Sequence, residues 1–369
     1  MREQLTCTFC GEVLTDETAV SFGGKTLCQT CYMNNTVVCH GCGERIWRDD
    51  AQGDSNIILC DNCYEYDYTT CESCGRLISN DSANYEDCDS DTPYCDECFS
   101  KLEDKPIHSY CYKPDPIFYG SGDLYYGVEL EIDKGGEYDG NAEILLDIAN
   151  SNGEKLYCKH DGSINNGFEM VSHPMTLDYH TNQMNWLDVF NKAIEMDYRS
   201  HNTTTCGLHI HVNRSAFGSS HEEQEDVISR IVYFVENHWN ELVKFSRRTE
   251  GNLNHWASRY GISTTAKDTY KKAKDKRLGR YVAVNLENYH TVEFRIFRGT
   301  LRHKTFLATL QLVDEICRLA IMLDDKAFES MSWSQFAANI STSNKPELIE
   351  YLKSKRLYVN ELTEESEEM

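Results

Sequence analysis

Six pairs of cysteines with C-x2-C spacing fall within the first hundred residues of the chain. They account for twelve of its 17 cysteines. Two thiolates at this spacing can serve as neighbouring ligands of one tetrahedral zinc ion, whereas a secreted disulfide scaffold does not need such regular doublets. The sequence therefore predicts zinc sites and a reducing compartment. The predicted zinc ligands are Cys7, Cys10, Cys28, Cys31, Cys39, Cys42, Cys60, Cys63, Cys71, Cys74, Cys95 and Cys98.

The cysteine pairs belong to an internal repeat of 32 residues, since Cys7, Cys39 and Cys71 begin successive units. A glycine follows the first pair of each unit and an aromatic residue follows the second. Shared features beyond the ligands indicate three tandem four-cysteine units in residues 1–105. The units resemble LIM or treble-clef knuckles, although seven residues separate Cys31 from Cys39, where a LIM domain has a two-residue spacer.

The predicted zinc units carry no sign of catalysis. Four thiolates close the coordination shell and leave no position for a substrate. Such small units depend on the metal for folding, with apparent binding energies of roughly 10–16 kcal/mol. Residues 1–105 hold 7 Lys and Arg against 21 Asp and Glu, which would repel a phosphate backbone. We expect the zinc units to bind a protein partner or to brace the next domain, and we expect no nucleic-acid partner.

The rest of the chain divides into three predicted segments. Residues 106–124 carry Pro106, Pro114 and Pro116 and are predicted to be a linker. Residues 125–357 have the mixed pattern of an α+β domain, and residues 358–369 form an acidic tail. No stretch is typical of a transmembrane span or a secretory signal. We therefore expect a cytoplasmic protein that does not contact a membrane.

The segment Tyr126–Asp133, with the sequence YGVELEID, alternates apolar and acidic residues. This is the period of a β-strand with one face in a core, so Glu129, Glu131 and Asp133 share the other face. Stacked carboxylates repel one another, and Mg²⁺, which prefers oxygen ligands, would relieve the repulsion. A solvated acidic edge strand explains this segment alone equally well.

Several later segments also bring polar residues together. Residues 206–213, CGLHIHVN, place His209 and His211 on one strand face. Residues 177–196 have the pattern of one long helix, and residues 267–280 are rich in lysine. Two paired strands are predicted at residues 280–286 and 291–297, of which the second carries Glu293 and Arg295.

Residues 125–301 taken together resemble the amidoligase family, whose fold is related to glutamine synthetase and glutamate-cysteine ligase. Six pieces match in the family's order. They are G-x-E-x-E at Gly127, Glu129 and Glu131; K-x-D-G-S at Lys159, Asp161, Gly162 and Ser163; E-x-V-S-x-P from Glu169 to Pro174; and the segments CGLHIHV, RYVAVNL and EFRIFRGTL. The resemblance does not extend to the zinc units and names no substrate.

The resemblance implies a curved, mostly antiparallel sheet with helices on one side that holds ATP and at least two Mg²⁺ ions. The chemistry of ATP-driven amide formation needs carboxylates for the metals and cations for phosphate oxygens. Glu129, Glu131, Glu169 and Glu293 are the expected metal ligands, and Arg295, Arg298 and Arg280 are expected to contact phosphate. His211 or Asp161 would accept a proton from the attacking amine. Lys159, Ser163, His209 and Asn285 complete the predicted cofactor-binding set.

Each of these features also has a purely structural interpretation. The two histidines could be a satisfied core pair, and Asp161-Gly162-Ser163 is ordinary turn chemistry. Glu293 and Arg295 could pair with charges on a neighbouring strand. The lysine-rich stretch could be a solvated helix face or a loop that covers phosphate. Ser172 and Tyr281 are weaker candidates for the site.

The sequence therefore favours an ATP- and Mg²⁺-dependent carboxylate-amine ligase that acts through an acyl phosphate. The substrates would be a carboxylate and an amine, on a protein or a small molecule. One alternative is a phosphotransferase on the same fold that stops at a stable phosphorylated product. Another is a non-catalytic zinc-knuckle interaction protein with a nucleotide-binding domain. A metallohydrolase is disfavoured because no H-E-x-x-H or similar motif accompanies the histidines.

Overall fold

The computed structural model describes residues 4–85, 91–103, 105–203, 205–275, 278–342 and 345–358. The chain forms two compact units, residues 1–105 and residues 106–369, called here the N-terminal and C-terminal units. Within the described ranges, no helix has the length and apolar character needed to cross a bilayer. Of the predicted acidic tail, residues 359–369 lie outside the described residues.

The N-terminal unit is built from two-stranded ladders and three short helices. Its strands are β1 (Val20–Phe22), β2 (Lys25–Leu27), β3 (Thr36–Val38), β4 (Arg45–Trp47), β5 (Gln52–Gly53), β6 (Ile58–Leu59), β7 (Tyr68–Thr70), β8 (Leu77–Ser79), β9 (Asn84–Tyr85) and β10 (Pro93–Tyr94). Its helices are α1 (Gln29–Asn35), α2 (Asp61–Tyr66) and α3 (Asp96–Glu103), and 3₁₀ turns lie at Arg48–Asp50 and Asn80–Ser82. Among its described residues, three small separate apolar clusters take the place of a single core, and each contains cysteines that were predicted to bind zinc.

The glycine that follows the first cysteine pair of each repeat has a structural reason. Gly11, Gly43 and Gly75 have φ values of 74°, 73° and 70°, in the left-handed region that favours glycine. Each N–H donates to the carbonyl of the first cysteine of its pair, at 2.8 to 2.9 Å. The repeated glycine thus closes the turn that brings two thiols together.

The C-terminal unit is organised around a seven-stranded sheet. Its strands are β11 (Ile107–His108), β12 (Tyr126–Ile132), β13 (Leu156–Lys159), β14 (Phe168–Ser172), β15 (Gly207–Asn213), β16 (Val284–Asn285) and β17 (Thr291–Arg298). They lie in the order β11-β13-β14-β12-β15-β17-β16. Every neighbouring pair is antiparallel except β11 and β13, so the expected mostly antiparallel α+β sheet is present.

Eleven helices of the described chain belong to this unit, with a 3₁₀ turn at Arg214–Phe217. They are α4 (Asp139–Ala149), α5 (Leu177–Asn182), α6 (Trp186–Glu195), α7 (His221–Asn237), α8 (Trp239–Ser246), α9 (Glu250–Trp256), α10 (Ala266–Asp275), α11 (His303–Met322), α12 (Asp325–Glu329), α13 (Trp333–Thr342) and α14 (Pro346–Ser354). The apolar sheet face packs with α4, α6, α7 and α11 into one core. Burial of this continuous apolar surface is the main stabilising contribution to the unit.

Two local predictions are wrong. The single helix expected at residues 177–196 is two helices, α5 and α6, because the chain turns at Gln183 to Asn185. The strand expected at residues 280–286 is reduced to Val284–Asn285 in β16. Residues 106–124, predicted as a linker, contain the edge strand β11, and Tyr119 packs against the core.

Candidate functional site

One face of the central sheet is polar from β13 to β16, and the strand register explains why. Glu131 lies opposite Glu169, which lies opposite Lys159 on the next strand. On the other side, Glu129 lies opposite His209, and His211 lies opposite Glu293. Side chains at directly paired positions point to the same face of a sheet. Six residues, called here the carboxylate cluster, therefore share this face: Glu129, Glu131, Glu169, His209, His211 and Glu293.

The intervening residues of the same strands point into the core. Val128 and Leu130 of β12, with Ile210 of β15 and Phe294 of β17, are 0 % exposed. A register shift of one residue would exchange this apolar set with the carboxylates. The hydrophobic core thus fixes which face carries the carboxylate cluster.

The two histidines lie between the acidic side chains. Nδ1 of His209 is 3.4 Å from an oxygen of Glu129, and its Nε2 is 3.8 Å from Glu131. Nε2 of His211 is 3.2 Å from Glu129 and 3.9 Å from Glu293. The Nδ1 atom of His211 contacts the hydroxyl of Thr291 at 3.0 Å, which orients the ring toward the cluster.

The donor set of the cluster fits divalent cations. Glu129, Glu169 and His209 each offer a ligand atom within 4.8 Å of the others, and so do Glu129, His211 and Glu293. Glu129 belongs to both groups, as a carboxylate that bridges two metal ions would. Carboxylate ligands suit Mg²⁺ and Mn²⁺, and imidazole adds affinity for a transition metal such as Mn²⁺.

Burial and mutual repulsion shift the pKa values of the carboxylates in the cluster. Burial, and next the Glu129 carboxylate, raise the pKa of Glu169 well above its usual value. Burial also raises the pKa of Glu131. Burial acts the same way on Glu129, but His211, His209 and Lys159 together outweigh it and hold the pKa of Glu129 well below its usual value. A bound cation would favour the ionised form of all these carboxylates and so reduce the differences between their pKa values.

Cations and amides border the cluster at both ends. Nζ of Lys159 lies 3.3 Å from Glu169, and an N–H of Arg295 donates to Glu293 at 2.5 Å. The amides of Asn285 and Asn288 donate to the other oxygen of Glu293, at 2.8 and 3.1 Å. These contacts fix the orientation of the Glu293 carboxylate. Nε of Arg295 is buried without a hydrogen-bond partner within the described part of the chain.

Arg248 is a cation of the site that sequence reasoning missed. Its guanidinium is buried, its Nε donates to the carbonyl of Phe297 at 3.1 Å, and it lies beside Glu131. Burial lowers the pKa of Arg248 to about 10. A Cβ atom at Gly207 would lie 2.4 Å from this guanidinium, so a larger residue at this position would displace the Arg248 side chain. The Gly207 N–H also donates to Glu131 at 2.6 Å.

Arg298 is on the polar face for a reason that strand periodicity does not predict. Three residues after Arg295, it would point to the opposite face in a regular strand. The register between β15 and β17 shifts between Leu208 and Ile210, which inserts an extra residue into β17. Arg298 consequently pairs with Gly207 and regains the polar face. It lies near Arg247, away from the carboxylate cluster.

The turn after β13 supports the structural interpretation of its residues. Asp161 accepts a hydrogen bond from the Ser163 N–H at 2.7 Å, the usual contact of an aspartate turn. Its charge is still near enough to contribute to the raised pKa values of Glu131 and Glu169. Ser172 accepts from the Val128 N–H at 3.0 Å inside the sheet, so its hydroxyl supports strand pairing.

Arg280 and Tyr281 lie at the edge of the site with a second tyrosine. Arg280 donates to the hydroxyls of Tyr110 and Tyr281. The Tyr281 ring lies 5.8 Å from the Arg295 guanidinium, and the Tyr110 ring lies 5.6 Å from Nζ of Lys159. Two tyrosine rings thus connect Arg280 to the cations that border the cluster. Tyr110 was not predicted as a site residue.

Residues 267–275 of the lysine-rich stretch belong to α10, and their ion pairs favour a helix-packing role. Lys267 pairs with Asp226 at 3.0 Å and Lys274 with Glu225 at 2.5 Å, both on α7. Nζ of Lys272 donates to the Ile262 carbonyl at 3.4 Å.

The cysteines of the N-terminal unit form three four-thiol groups whose ligand atoms lie within 4.8 Å of one another. The Sγ atoms of Cys10 and Cys28 are 3.7 Å apart, those of Cys42 and Cys60 are 3.9 Å apart, and those of Cys74 and Cys95 are 3.7 Å apart. A zinc–sulfur bond of about 2.3 Å gives a tetrahedral sulfur–sulfur edge of about 3.8 Å. The cysteine groups therefore fit zinc.

Backbone N–H groups donate to several of these sulfur atoms. The N–H groups of Cys31 and Cys63 donate to the sulfurs of Cys28 and Cys60, both at 3.4 Å. Burial opposes ionisation of Cys7, but backbone N–H groups outweigh it and lower its pKa to about 6. The same balance lowers the pKa of Cys39 and of Cys71 to about 6. Thiolate is the form that binds zinc.

Comparison with known proteins adds one finding. No curated protein matches the chain. Residues 141–317 match the model of a family described as "Putative amidoligase enzyme". The matched segment includes Glu169, both histidines of the cluster, Glu293 and Arg295, whereas Glu129 and Glu131 precede it. By this similarity, the C-terminal unit resembles an amide-bond ligase.

Proposed function

We propose that the chain is an ATP- and Mg²⁺-dependent carboxylate-amine ligase, with zinc units that recruit a protein partner or a substrate. The observation that carries the proposal is the carboxylate cluster, in which two groups of ligand atoms share Glu129. Buried carboxylates in this number need compensating charge. Within the part of the chain that the structure describes, Lys159 and Arg295 are the lysine and arginine side chains that form ion pairs with the cluster.

The reaction has two steps. The substrate carboxylate attacks the terminal phosphorus of ATP, and ADP leaves as an acyl phosphate forms. The amine then attacks the acyl carbon, phosphate leaves, and the amine proton passes to a base. Bound Mg²⁺ would neutralise phosphate charge and align the reacting oxygens.

The chain's own residues have separate roles in this scheme. Glu129, Glu169, Glu293 and His209 would hold the metals, with Glu131 beside them, so that Nε2 of His211 is left to act as a base. Arg295 has the planar guanidinium suited to a transferring phosphoryl group, and Glu293 fixes its position. Of the two proposed bases, His211 is favoured because its Nε2 faces the cluster, whereas Asp161 is engaged in its turn. Lys159 would contact phosphate from the other end of the cluster.

Replacing Glu129 tests the proposed metal site without knowledge of the substrate. Glu129→Gln keeps the side-chain shape but removes the charge shared by both ligand groups. We expect it to weaken Mn²⁺ binding, measured by electron paramagnetic resonance, by at least about tenfold, since charge-assisted contacts are the strongest ones at such a site. Mg²⁺-dependent ATP turnover should fall with it. Folding and zinc content should remain those of the parent protein.

Glu143→Gln is the matched control, because Glu143 is exposed on α4. It removes the same charge from the same unit and should leave Mn²⁺ binding unchanged. Equal Mn²⁺ affinity in Glu129→Gln and Glu143→Gln would contradict the metal-site assignment.

The reaction class needs its own assay. With candidate carboxylates, hydroxylamine should trap the acyl phosphate as a hydroxamate, and mass spectrometry should detect an ATP-dependent gain with loss of water. A stable phosphorylated product would instead identify a phosphotransferase.

A further inference from the structure

A second group of cations surrounds a cavity of about 110 Å³ in the C-terminal unit. Arg247 follows α8, Arg302 precedes α11, Lys304 lies on α11, and Lys355 follows α14. Four cationic side chains at one small cavity are unusual in a chain with a net charge of -24. The cavity and these four residues are called here the basic pocket.

The acidic residues at the pocket do not neutralise it. Glu350 pairs with Lys304 at 2.9 Å, and Glu347 accepts a hydrogen bond from Gln311 at 2.5 Å. Among the described residues, Arg247, Arg302 and Lys355 have no carboxylate within ion-pair distance. The pocket therefore keeps an excess of positive charge.

The backbone at Arg247 is held in a conformation that arginine rarely adopts. Arg247 is the residue after the last turn of α8 and has φ 57° and ψ 20°, the left-handed conformation usually taken there by glycine or asparagine. Side chains with a Cβ atom are strained in this region. In addition, Nε of Arg247 and Nε of Arg298 are buried without a hydrogen-bond partner within the described ranges.

The cations at the pocket repel one another. Burial and then Arg247 lower the pKa of Arg298. Burial, followed by Arg247, Arg298 and Arg302, lowers the pKa of Lys355. The ring of Tyr351 offers partial compensation, with Arg247 5.9 Å and Lys355 5.2 Å from its centre. An anion in the cavity would relieve this repulsion and accept a hydrogen bond from Arg247, which lines the cavity.

We propose that the basic pocket binds a phosphate or carboxylate group of a ligand, at a site separate from the carboxylate cluster. No residue that lines the pocket belongs to the carboxylate cluster. Within the proposed ligase, the pocket anchors a remote anionic group of one substrate, and that part of the inference rests on the proposed function.

Binding of simple anions tests the pocket directly. Inorganic phosphate and glutarate are titrated separately into the zinc-loaded full chain by calorimetry, at low salt and without Mg²⁺ or nucleotide. We expect at least one of them to bind. Arg247→Gly should weaken that binding at least tenfold while keeping thermal stability, because glycine accepts the left-handed backbone. Stronger binding of phosphate or of glutarate identifies the preferred anion.

Arg356→Gly is the matched control. Arg356 also has a positive φ, 53°, and is exposed, but it does not line the cavity. It removes the same charge from a neighbouring position and should change anion affinity less than twofold. Absence of binding to the parent protein, or an equal loss in both glycine variants, would overturn the proposal. Glu129→Gln should retain anion binding, so failure of the pocket and failure of the ligase proposal give different results.

Discussion

His180 shows how far the state of one residue can be deduced from its neighbours. It is fully buried on α5, and the indole N–H of Trp186 lies 3.1 Å from its Nδ1. Because the indole can only donate, Nδ1 must be unprotonated. Nε2 therefore carries the proton and donates to the carbonyl of Tyr126 at 2.9 Å. Protonation of Nδ1 would set two N–H groups against each other in the core.

Stability should consequently fall in acid through His180. Burial lowers its pKa from 6.5 to about 4. The unfolded chain takes up a proton between these values and the folded chain does not, so the contribution is complete above pH 6.5 and is lost as the pH falls toward 4. The loss between pH 7 and pH 5 should be about 2 kcal/mol. Urea unfolding at both pH values measures it.

His180→Gln provides the comparison, because glutamine can donate and accept but does not titrate. The variant should lose about 2 kcal/mol less than the parent protein over the same pH interval. Other buried histidines and the zinc sites affect both proteins alike. Parallel pH dependences of the two proteins would show that His180 does not behave as proposed.

Arg295 permits a second test at the scale of one residue. Arg295→Lys keeps the positive charge beside Glu293 but loses the planar pair of N–H donors. If Arg295 stabilises the transferring phosphoryl group, nucleotide affinity should change little while phosphoryl transfer slows about tenfold or more, equivalent to at least about 1.4 kcal/mol. Single-turnover measurements separate the two quantities. An equal effect of Lys271→Gln, at an exposed position of α10, would indicate a general charge effect instead.

At the scale of elements, the acidic strand was predictable because large apolar residues occupy one of its faces and none of them lies on the other. Strict alternation in Tyr126–Ile132 fixed both the strand and the face of its carboxylates. The same argument placed His209 and His211 on one face of β15. The sequence could not show that β12 and β15 are neighbours, since pairing of distant strands depends on the packing of the whole core. The family resemblance implied a mostly antiparallel sheet but not which of its strands are neighbours.

The irregular elements were beyond sequence reasoning. The bulge that returns Arg298 to the polar face depends on the register between β15 and β17, which no local pattern in either strand reveals. The division into α5 and α6 occurs in a segment without Pro or Gly, so the usual breaking signals are absent. Arg247 and Arg248 were missed for a related reason. Two arginines after a helix are usually exposed to solvent. The left-handed conformation of Arg247, which points the two side chains in different directions, depends on tertiary contacts and not on the local sequence.

At the scale of the whole molecule, the net charge is strongly negative, whereas both candidate sites of the C-terminal unit carry cations. The net charge of -24 should repel acidic ligands at long range, with an effect that weakens as salt is added. The side chains proposed to contact such a ligand are the cations at the two candidate sites of the C-terminal unit, beside the carboxylate cluster and at the basic pocket. Selectivity for an anionic substrate would then come from these short-range contacts, since the overall field opposes its approach.

The N-terminal unit makes a separate prediction for the whole chain, namely three zinc ions per molecule. Three cysteine groups have the sulfur spacing of closed tetrahedral sites, and units with such small apolar clusters need the metal to fold. Purified protein should contain about three zinc ions by mass spectrometry of the metal. Cys10→Ser, Cys42→Ser and Cys74→Ser each remove one exposed ligand of a different site, and each should lower the content to about two.

The three serine variants control for one another, because each leaves two sites intact. Glu129→Gln should retain all three zinc ions, since its metal site uses carboxylates in the other unit. A zinc content near one in the parent protein, or disulfides among the twelve ligand cysteines in freshly prepared protein, would contradict three independent sites. Each closed site uses only its own four thiolates, so the loss of one ligand should not remove zinc from the other two sites. Loss of all zinc in any single serine variant would instead show that the three units fold as one.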